Sequence, residues 1–204
     1  MYVPDRMQYR GPGSMAKRTF DFLAATAGLV LFAVPIFLMA IAVRMGSRGP
    51  ALFRQKRVGR NGRTFTCYKL RTMRQGIGNL PSHELTADAI TPIGAKLRRL
   101  KLDELPQLWN VLCGDMSLVG PRPCLPSQSE LIDARNRLGV LRFRPGITGV
   151  AQIAGIDMSD PRRLAAADAL YSPSLLTDLR LVFLTVVGAG RGDAVRELGH
   201  NSVR

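Results

Sequence analysis

The sequence is short of acid. Against 29 lysines and arginines stand 15 aspartates and glutamates, a formal charge of +14. From Arg44 to Arg74 there are ten basic residues and no acidic one. Such a chain seeks polyanions: nucleic acid, an anionic bilayer surface or phosphate-bearing ligands. Charge alone does not choose among them. Cysteine is scarce too. Cys67, Cys113 and Cys124 form no CxxC and lack metal-ligand spacing, which argues against a disulfide framework and for a reducing compartment. The two histidines, His83 and His200, have no ligand constellation around them and read as surface residues. There is no Walker or Rossmann motif, no internal repeat and no low-complexity tract. Long apolar runs are limited to one, so the chain is not polytopic. With 204 residues, 46% of them hydrophobic, there is room for one folded domain and a membrane element.

The apolar run extends from Phe22 to Val43, 22 residues without a charge. As a helix it is long enough for about 30 Å of hydrocarbon. It lacks the small-residue cleavage site of a signal peptide. Pro35 sits near its middle and removes a helix hydrogen bond. Lys17 and Arg18 precede the run, and Arg44 and Arg48 follow it, so the positive-inside tendency pulls both ends to the cytoplasmic side. A helix–break–helix that enters one leaflet and returns satisfies both constraints. A bitopic helix with a tolerated proline satisfies one of them, and a buried core helix is the third reading. Residues 1–14, ending Gly11-Pro12-Gly13-Ser14, read as a flexible leader or an appended scar before Met15.

Beyond the run, residues 49–74 read as a basic β-hairpin turning at Asn61-Gly62. Residues 75–90 read as a loop. Thr91-Pro92 opens a helix reaching Leu102. Leu105, Leu108, Trp109 and Leu112 have the spacing of an amphipathic helix that starts at Asp103. Gly114–Pro123 reads as an ordered loop, about 126–138 as a helix, and Pro145-Gly146 as the start of another loop. Leu175–Val187 reads as a late core helix or an interfacial amphipathic one.

Asp103-Glu104 is the centre of the chemistry. Taken alone, such a pair is a helix cap and a first-turn acid. Lys96, Arg98, Arg99 and Lys101 precede it with no acid among them, and nearby cations favour ionised carboxylates. An ionised carboxylate can attack phosphorus, and its neighbour can hold Mg²⁺ against substrate phosphates. Arg122, between two prolines, has a preorganised guanidinium suited to phosphate oxygens, or is a solvent-facing turn residue. Lys69 and Arg71 alternate onto one strand face, as a phosphate clamp or a solvated basic face. Gly146-Ile147-Thr148-Gly149 could offer backbone amides to phosphate or be a structural turn.

Together these stretches are specific. Lys17-Arg18-Thr19-Phe20-Asp21, Phe53-Arg54-Gln55-Lys56-Arg57-Val58-Gly59 and Tyr68-Lys69-Leu70-Arg71-Thr72-Met73 are followed by Leu102-Asp103-Glu104-Leu105-Pro106-Gln107-Leu108-Trp109-Asn110-Val111-Leu112. Then come Gly114-Asp115-Met116-Ser117-Leu118-Val119-Gly120-Pro121-Arg122-Pro123 and Arg144-Pro145-Gly146-Ile147-Thr148-Gly149-Val150-Ala151-Gln152. Over residues 16–187 the chain resembles the monotopic phosphoglycosyl transferases, bacterial sugar transferases that initiate glycan assembly, in their minimal catalytic form.

The resemblance implies a re-entrant membrane helix broken at Pro35 (residues 15–48), a mainly α catalytic domain with a small β-hairpin at the membrane interface (49–187), and a C-terminal tail (188–204). It implies a UDP-sugar donor, a polyprenyl phosphate acceptor such as undecaprenyl phosphate, and release of UMP. It implies Mg²⁺, contact with membrane phospholipid, and a site on the cytoplasmic face of the bacterial inner membrane. Association of copies of the chain stays open. The resemblance also implies a covalent phosphosugar on Asp103, metal binding by Glu104 and Asp103, and active-site roles for Lys69, Arg98 and Arg122. The chain departs from its relatives in three places. Val34 precedes the proline and Lys101 precedes the dyad, each where serine is common. Ala154-Gly155-Ile156-Asp157 replaces an Asn-Gly-Arg, leaving one phosphate contact unsupplied. Two rival functions are a non-catalytic membrane scaffold, which has no use for the dyad, and a nucleic-acid-binding protein. The latter needs stacking aromatics, and the basic segment supplies three, Phe53, Phe65 and Tyr68.

Overall fold

In a computed structural model, residues 13–74 and 89–188 are described. Helix α1 (Gly13–Gly46) leads into a hairpin of β1 (Leu52–Val58) and β2 (Thr64–Leu70). There follow α2 (Pro92–Arg99), α3 (Gln107–Cys113), β3 (Ser117–Val119), α4 (Ser129–Arg137), β4 (Gly146–Thr148), α5 (Val150–Ile153), α6 (Pro161–Ala169) and α7 (Leu175–Val186). The fold is mainly helical, with one antiparallel hairpin and one long apolar helix. The loop expected at 75–90 lies outside the described residues through position 88. So do His83, His200, the leader through residue 12 and the tail from 189.

Local chemistry explains the elements that the sequence signals. Strands β1 and β2 pair antiparallel in the register Leu52↔Leu70 to Val58↔Thr64. Asn61 (φ 56°) and Gly62 (φ 76°) supply the left-handed turn between them. Thr91 caps α2, its hydroxyl accepting from the Gly94 amide at 3.0 Å, with Pro92 in the first turn.

Three expectations need correction. The stretch 114–123 and the segment after Pro145 are not both loops: β3 and β4 pair in parallel, Ser117 opposite Gly146 and Val119 opposite Thr148. Glycine makes this possible. A Cβ on Gly146 would lie 2.1 Å from the Gly120 amide nitrogen, so a side chain there would push the strands apart. Gly146 and Gly149 therefore serve close backbone packing. Trp109 is the second correction. It faces outward, 53% exposed, while Gln107, Leu108, Asn110 and Val111 face in. Asn110 decides this rotation: its Oδ1 accepts from the Tyr68 amide at 3.1 Å, and its Nδ2 donates to the Thr66 carbonyl at 2.7 Å, tying α3 to β2. The third is the start of the helix that carries the dyad. Leu102–Glu104 is a 3₁₀ turn and α3 begins only at Gln107.

Helix α1 is one α-helix from Gly13 to Gly46 with Pro35 inside it, about 50 Å long at 1.5 Å per residue. It is long and apolar enough to cross a membrane. Both its ends pack on the rest of the chain. At the N-terminal end, Lys17 pairs with Asp178 of α7 at 2.5 Å. Arg18 donates to the Val111 and Leu112 carbonyls at the end of α3, at 2.6 and 2.8 Å. Asp21 accepts from Ser117 Oγ and the Leu118 amide. Ala25 is buried against α3. At the C-terminal end, Val43, Met39 and Ala40 pack with Leu70 of β2 and Leu97 of α2. Between these contacts Val30, Leu31, Val34, Phe37 and Leu38 are exposed. Helix α7 repeats the pattern on a smaller scale. Its Asp178 and Leu181 point inward, while Leu176, Leu179, Phe183 and Val186 point out.

Candidate active site

The site is built where the end of α2, a tight reversal and β2 meet. After α2 the chain turns through Lys101, which adopts left-handed backbone (φ 55°). For a non-glycine residue this conformation costs about 1–2 kcal/mol. The reversal sends Leu102 into the cluster formed by Val43, Leu70 and Leu97. It thereby sets Asp103 and Glu104 beside β2 and next to the part of α1 that packs there.

The two carboxylates have opposite surroundings. Asp103 is 7% exposed and its side chain makes no hydrogen bond among the described residues. It does not cap: Lys101 holds the N-cap position of the turn, and no side-chain capping bond forms there. Its lone pairs are unspent. Glu104 is held from two sides. Its Oε1 accepts from Lys69 Nζ at 2.6 Å and from Arg122 Nη2 at 3.3 Å. Burial, helped by the Glu104 charge, raises the Asp103 carboxyl above its ordinary value, against the pull of Lys69, Arg98 and Arg122. Burial also pushes Glu104 upward, but Lys69 and Arg122, the Lys69 hydrogen bond and Lys101 outweigh it and hold Glu104 at about 2. Proximity along the chain predicts the same cationic influence on both acids. It describes Glu104, whereas for Asp103 desolvation dominates. Neighbouring groups with pKa values driven apart are an arrangement for divided chemical roles.

The pairing of Glu104 makes it a pH-dependent element of stability. Its folded pKa lies below its ordinary 4.5, so its contribution is complete above that value and is lost as pH falls toward 2. Urea unfolding of wild type and Glu104→Gln should differ by roughly 3 kcal/mol at pH 7, and the gap should close as pH drops below 4.5.

A small open cleft lies beside Glu104, lined by Arg57, Lys69, Glu104, Gln107, Arg122 and Ile147 among others. Of the expected cations, Lys69 and Arg122 meet on Glu104. Arg98 donates from Nε to Thr72 Oγ1 at 2.9 Å and acts on Asp103 through its charge. Arg71 goes elsewhere. Alternation was expected to set it beside Lys69, but it follows the last residue of β2 and turns to the end of α1. There its Nη2 donates to the Ser47 carbonyl at 2.8 Å and to Ser47 Oγ at 2.9 Å.

Sequence reasoning did not single out Arg57 and Gln107. Arg57 donates to the Pro123 carbonyl at 3.1 Å, which ties the hairpin to the Pro121-Arg122-Pro123 turn. Gln107 opens α3, buried and lining the same cleft as Glu104. Behind Arg122, Arg135 donates to its carbonyl at 2.8 Å and is clamped to Asp168 at 2.6 Å. No local pattern marks that pair.

Among the described residues no three His, Cys, Asp or Glu side chains converge. A site made wholly of protein ligands, as structural zinc and calcium prefer, is therefore not what these residues form. Mg²⁺ asks for less: one or two carboxylates, with substrate phosphates and water completing its shell. Asp103 and the Glu104 oxygen not engaged by Lys69 and Arg122 fit that demand.

The chain is similar to named bacterial proteins over most of its length. It is 39% identical over 206 residues to the exopolysaccharide production protein ExoY of Rhizobium meliloti, covering 91% of this chain and 90% of that one. It is 40% identical to the UDP-glucose:undecaprenyl-phosphate glucose-1-phosphate transferase of Caulobacter vibrioides, covering 84% of this chain and 68% of that one. It is 40% identical to an undecaprenyl-phosphate glucose phosphotransferase of Komagataeibacter xylinus, matching 84% of its own length to 35% of that larger protein. The family model for bacterial sugar transferases matches residues 13–191. That span takes in α1, the hairpin, the dyad turn and the Arg122 turn together, and the chain belongs to the bacterial sugar transferase family.

Proposed function

We propose that this protein transfers a sugar-1-phosphate from a UDP-sugar to a polyprenyl phosphate, undecaprenyl phosphate in particular, with Asp103 as the nucleophile. The observation that carries the reading is the contrast within the dyad. Asp103 is desolvated, without a hydrogen bond and raised in pKa, beside a Glu104 whose Oε1 is held by Lys69 and Arg122. A carboxylate with free lone pairs and a raised pKa is the better nucleophile of the two.

The reaction runs in two displacements. An Asp103 carboxylate oxygen attacks the sugar-bearing phosphorus, the bond from that phosphorus to the bridging oxygen breaks, and UMP leaves with the bonding electron pair. The acceptor phosphate oxygen then attacks the same phosphorus. The acyl-phosphate bond breaks and Asp103 is restored as a carboxylate. Lys69, Arg57 and Arg122 line the cleft where the diphosphate lies and offset its charge. Glu104 and Asp103 would hold a bound Mg²⁺, which would supply further charge neutralisation.

The membrane arrangement follows from α1. Both its ends pack on one catalytic body while its apolar middle is exposed. This supports a re-entrant segment bent at Pro35 over a bitopic span, which would carry the two ends to opposite sides of the membrane. The outward apolar residues of α7 and the exposed Trp109 then rest on phospholipid at the cytoplasmic face. In a Cys113→Ser background, cysteines at exposed Met15 and Met45 should label from the cytoplasmic side of inverted vesicles alike. Labelling from opposite sides would overturn the re-entrant arrangement.

The test of the reaction is direct. Detergent-purified protein given Mg²⁺ and UDP-sugars without acceptor should gain the mass of one phosphosugar on the peptide holding Asp103, and lose it when undecaprenyl phosphate is added. UMP release that needs acceptor from the outset, with no adduct, would replace this scheme by direct transfer. A non-catalytic scaffold predicts neither event.

A further inference from the structure

Four buried side-chain polar atoms lack a hydrogen-bond partner among the described residues: Arg71 Nε and Nη1, Gln107 Nε2 and Gln152 Oε1. Such atoms carry a free-energy penalty, so each invites an explanation. Arg71 already grips the end of α1 through Nη2. Gln152 already donates Nε2 to the Ile147 carbonyl at 2.9 Å, which fixes its amide behind β4. Gln107 differs from both. It is 2% exposed, its Nε2 has no hydrogen-bond partner among the described residues, and it lines the cleft.

The contrast with Asn110 sharpens this. Both amides lie on the inward face of α3, one turn apart. Asn110 satisfies its two ends on β2 and holds the helix in place. The Nε2 of Gln107 holds nothing. If its purpose were packing, an apolar side chain of the same length would serve without leaving a donor unpaired. Its charged neighbours in the cleft are three cations, Arg57, Lys69 and Arg122, and one carboxylate, Glu104, whose Oε1 Lys69 and Arg122 already hold. A fourth cation there would add repulsion, whereas an amide adds a donor at no cost in charge. An unpaired N–H among cations is matched by an acceptor-rich anion, and phosphate oxygen is the natural one.

We propose that Gln107 is a donor-binding residue whose Nε2–H donates to a phosphate oxygen in the diphosphate of the nucleotide sugar. This rests on the reading of the cleft as the donor site. Within it, Gln107 reads the phosphate and leaves the sugar free.

The test uses the full chain in detergent, UMP as the binding probe, and the variants Gln107→Met and Gln107→Glu. Gln107→Met keeps the length and removes the unpaired amide. Its apo Tm should equal or exceed that of wild type. Its UMP-induced rise in Tm should shrink, and its kcat/KM for UMP release should fall about 10- to 100-fold, the range for a hydrogen bond to a charged group. Gln107→Glu turns an acceptor charge on the phosphate and should abolish the UMP shift. A Gln107→Met protein with a lower apo Tm but an unchanged UMP shift and kcat/KM would overturn the assignment and make Gln107 structural. The reading beneath it fails separately. If UMP shifts wild-type Tm and the Gln107 variants lose that shift while Asp103→Asn still turns over, the nucleophile is wrong and Gln107 stands. If UMP leaves wild-type Tm unmoved, the cleft is not the donor site and both fall.

Discussion

Under the proposed mechanism, Asp103→Asn should reduce UMP release from UDP-sugar by at least about 1,000-fold, because an amide cannot form the acyl phosphate. The same substitution should not weaken the fold. Burial raises the Asp103 pKa above its unfolded value, with Glu104 adding to the effect. Between those two values the folded state binds the extra proton, so stability declines as pH rises through the folded pKa. Once ionised, Asp103 therefore works against folding. Asparagine removes that charge in a turn where the carboxylate forms no capping bond, and Tm at pH 7 should match or exceed that of wild type. At pH 4, where the wild-type carboxyl is protonated more fully, the two curves should converge. An inactive variant with a much lower Tm would return Asp103 to a structural role. An active one would remove it from the chemistry.

The second large effect lies away from the dyad. Asp168→Ala leaves the Arg135 guanidinium, 3% exposed, without its counter-charge. Breaking one side of a buried pair costs about 3–5 kcal/mol, and thermal or urea unfolding in detergent should register it. Arg135 joins α4 to α6 through Asp168 and also donates to the Arg122 carbonyl at 2.8 Å. Activity should therefore fall along with stability. The double variant Arg135→Met with Asp168→Leu separates these effects. Removing both charges restores most of the stability, but nothing then holds the Arg122 carbonyl, so kcat/KM should stay depressed. Full recovery of activity in the double variant would mean that Arg57, which holds the Pro123 carbonyl, suffices to fix the turn.

The legible part of this protein is the part encoded in neighbours along the chain. Asn61-Gly62 declares its left-handed turn, and Thr91-Pro92 declares the start of a helix, because backbone φ and capping are decided within a few residues. The apolar stretch declares α1 because its length matches a bilayer. Motif order pointed to Asp103, Glu104, Lys69 and Arg122, and the last two do meet on Glu104. Arg71 shows the limit of periodicity. Alternation holds only inside a strand, and β2 ends one residue before it.

Tertiary structure decided what depends on residues far apart. The parallel pairing of β3 with β4 joins segments 29 positions apart, Ser117 with Gly146, and no local propensity announces it. Trp109 fits the apolar face by spacing, yet Asn110 turns α3 so that the tryptophan points out. The charge state of the dyad was decided in the same way. Read along the chain, Asp103 and Glu104 have the same cationic surroundings. In the fold, Lys69 and Arg122 arrive from other elements and take Glu104, while burial leaves Asp103 desolvated and unbonded. Sequence order determined which residues could do the chemistry. The opposite pKa shifts of the two acids required the burial and the converging charges that only the folded chain provides, because desolvation and Coulomb energy depend on distance in space and not on distance along the chain.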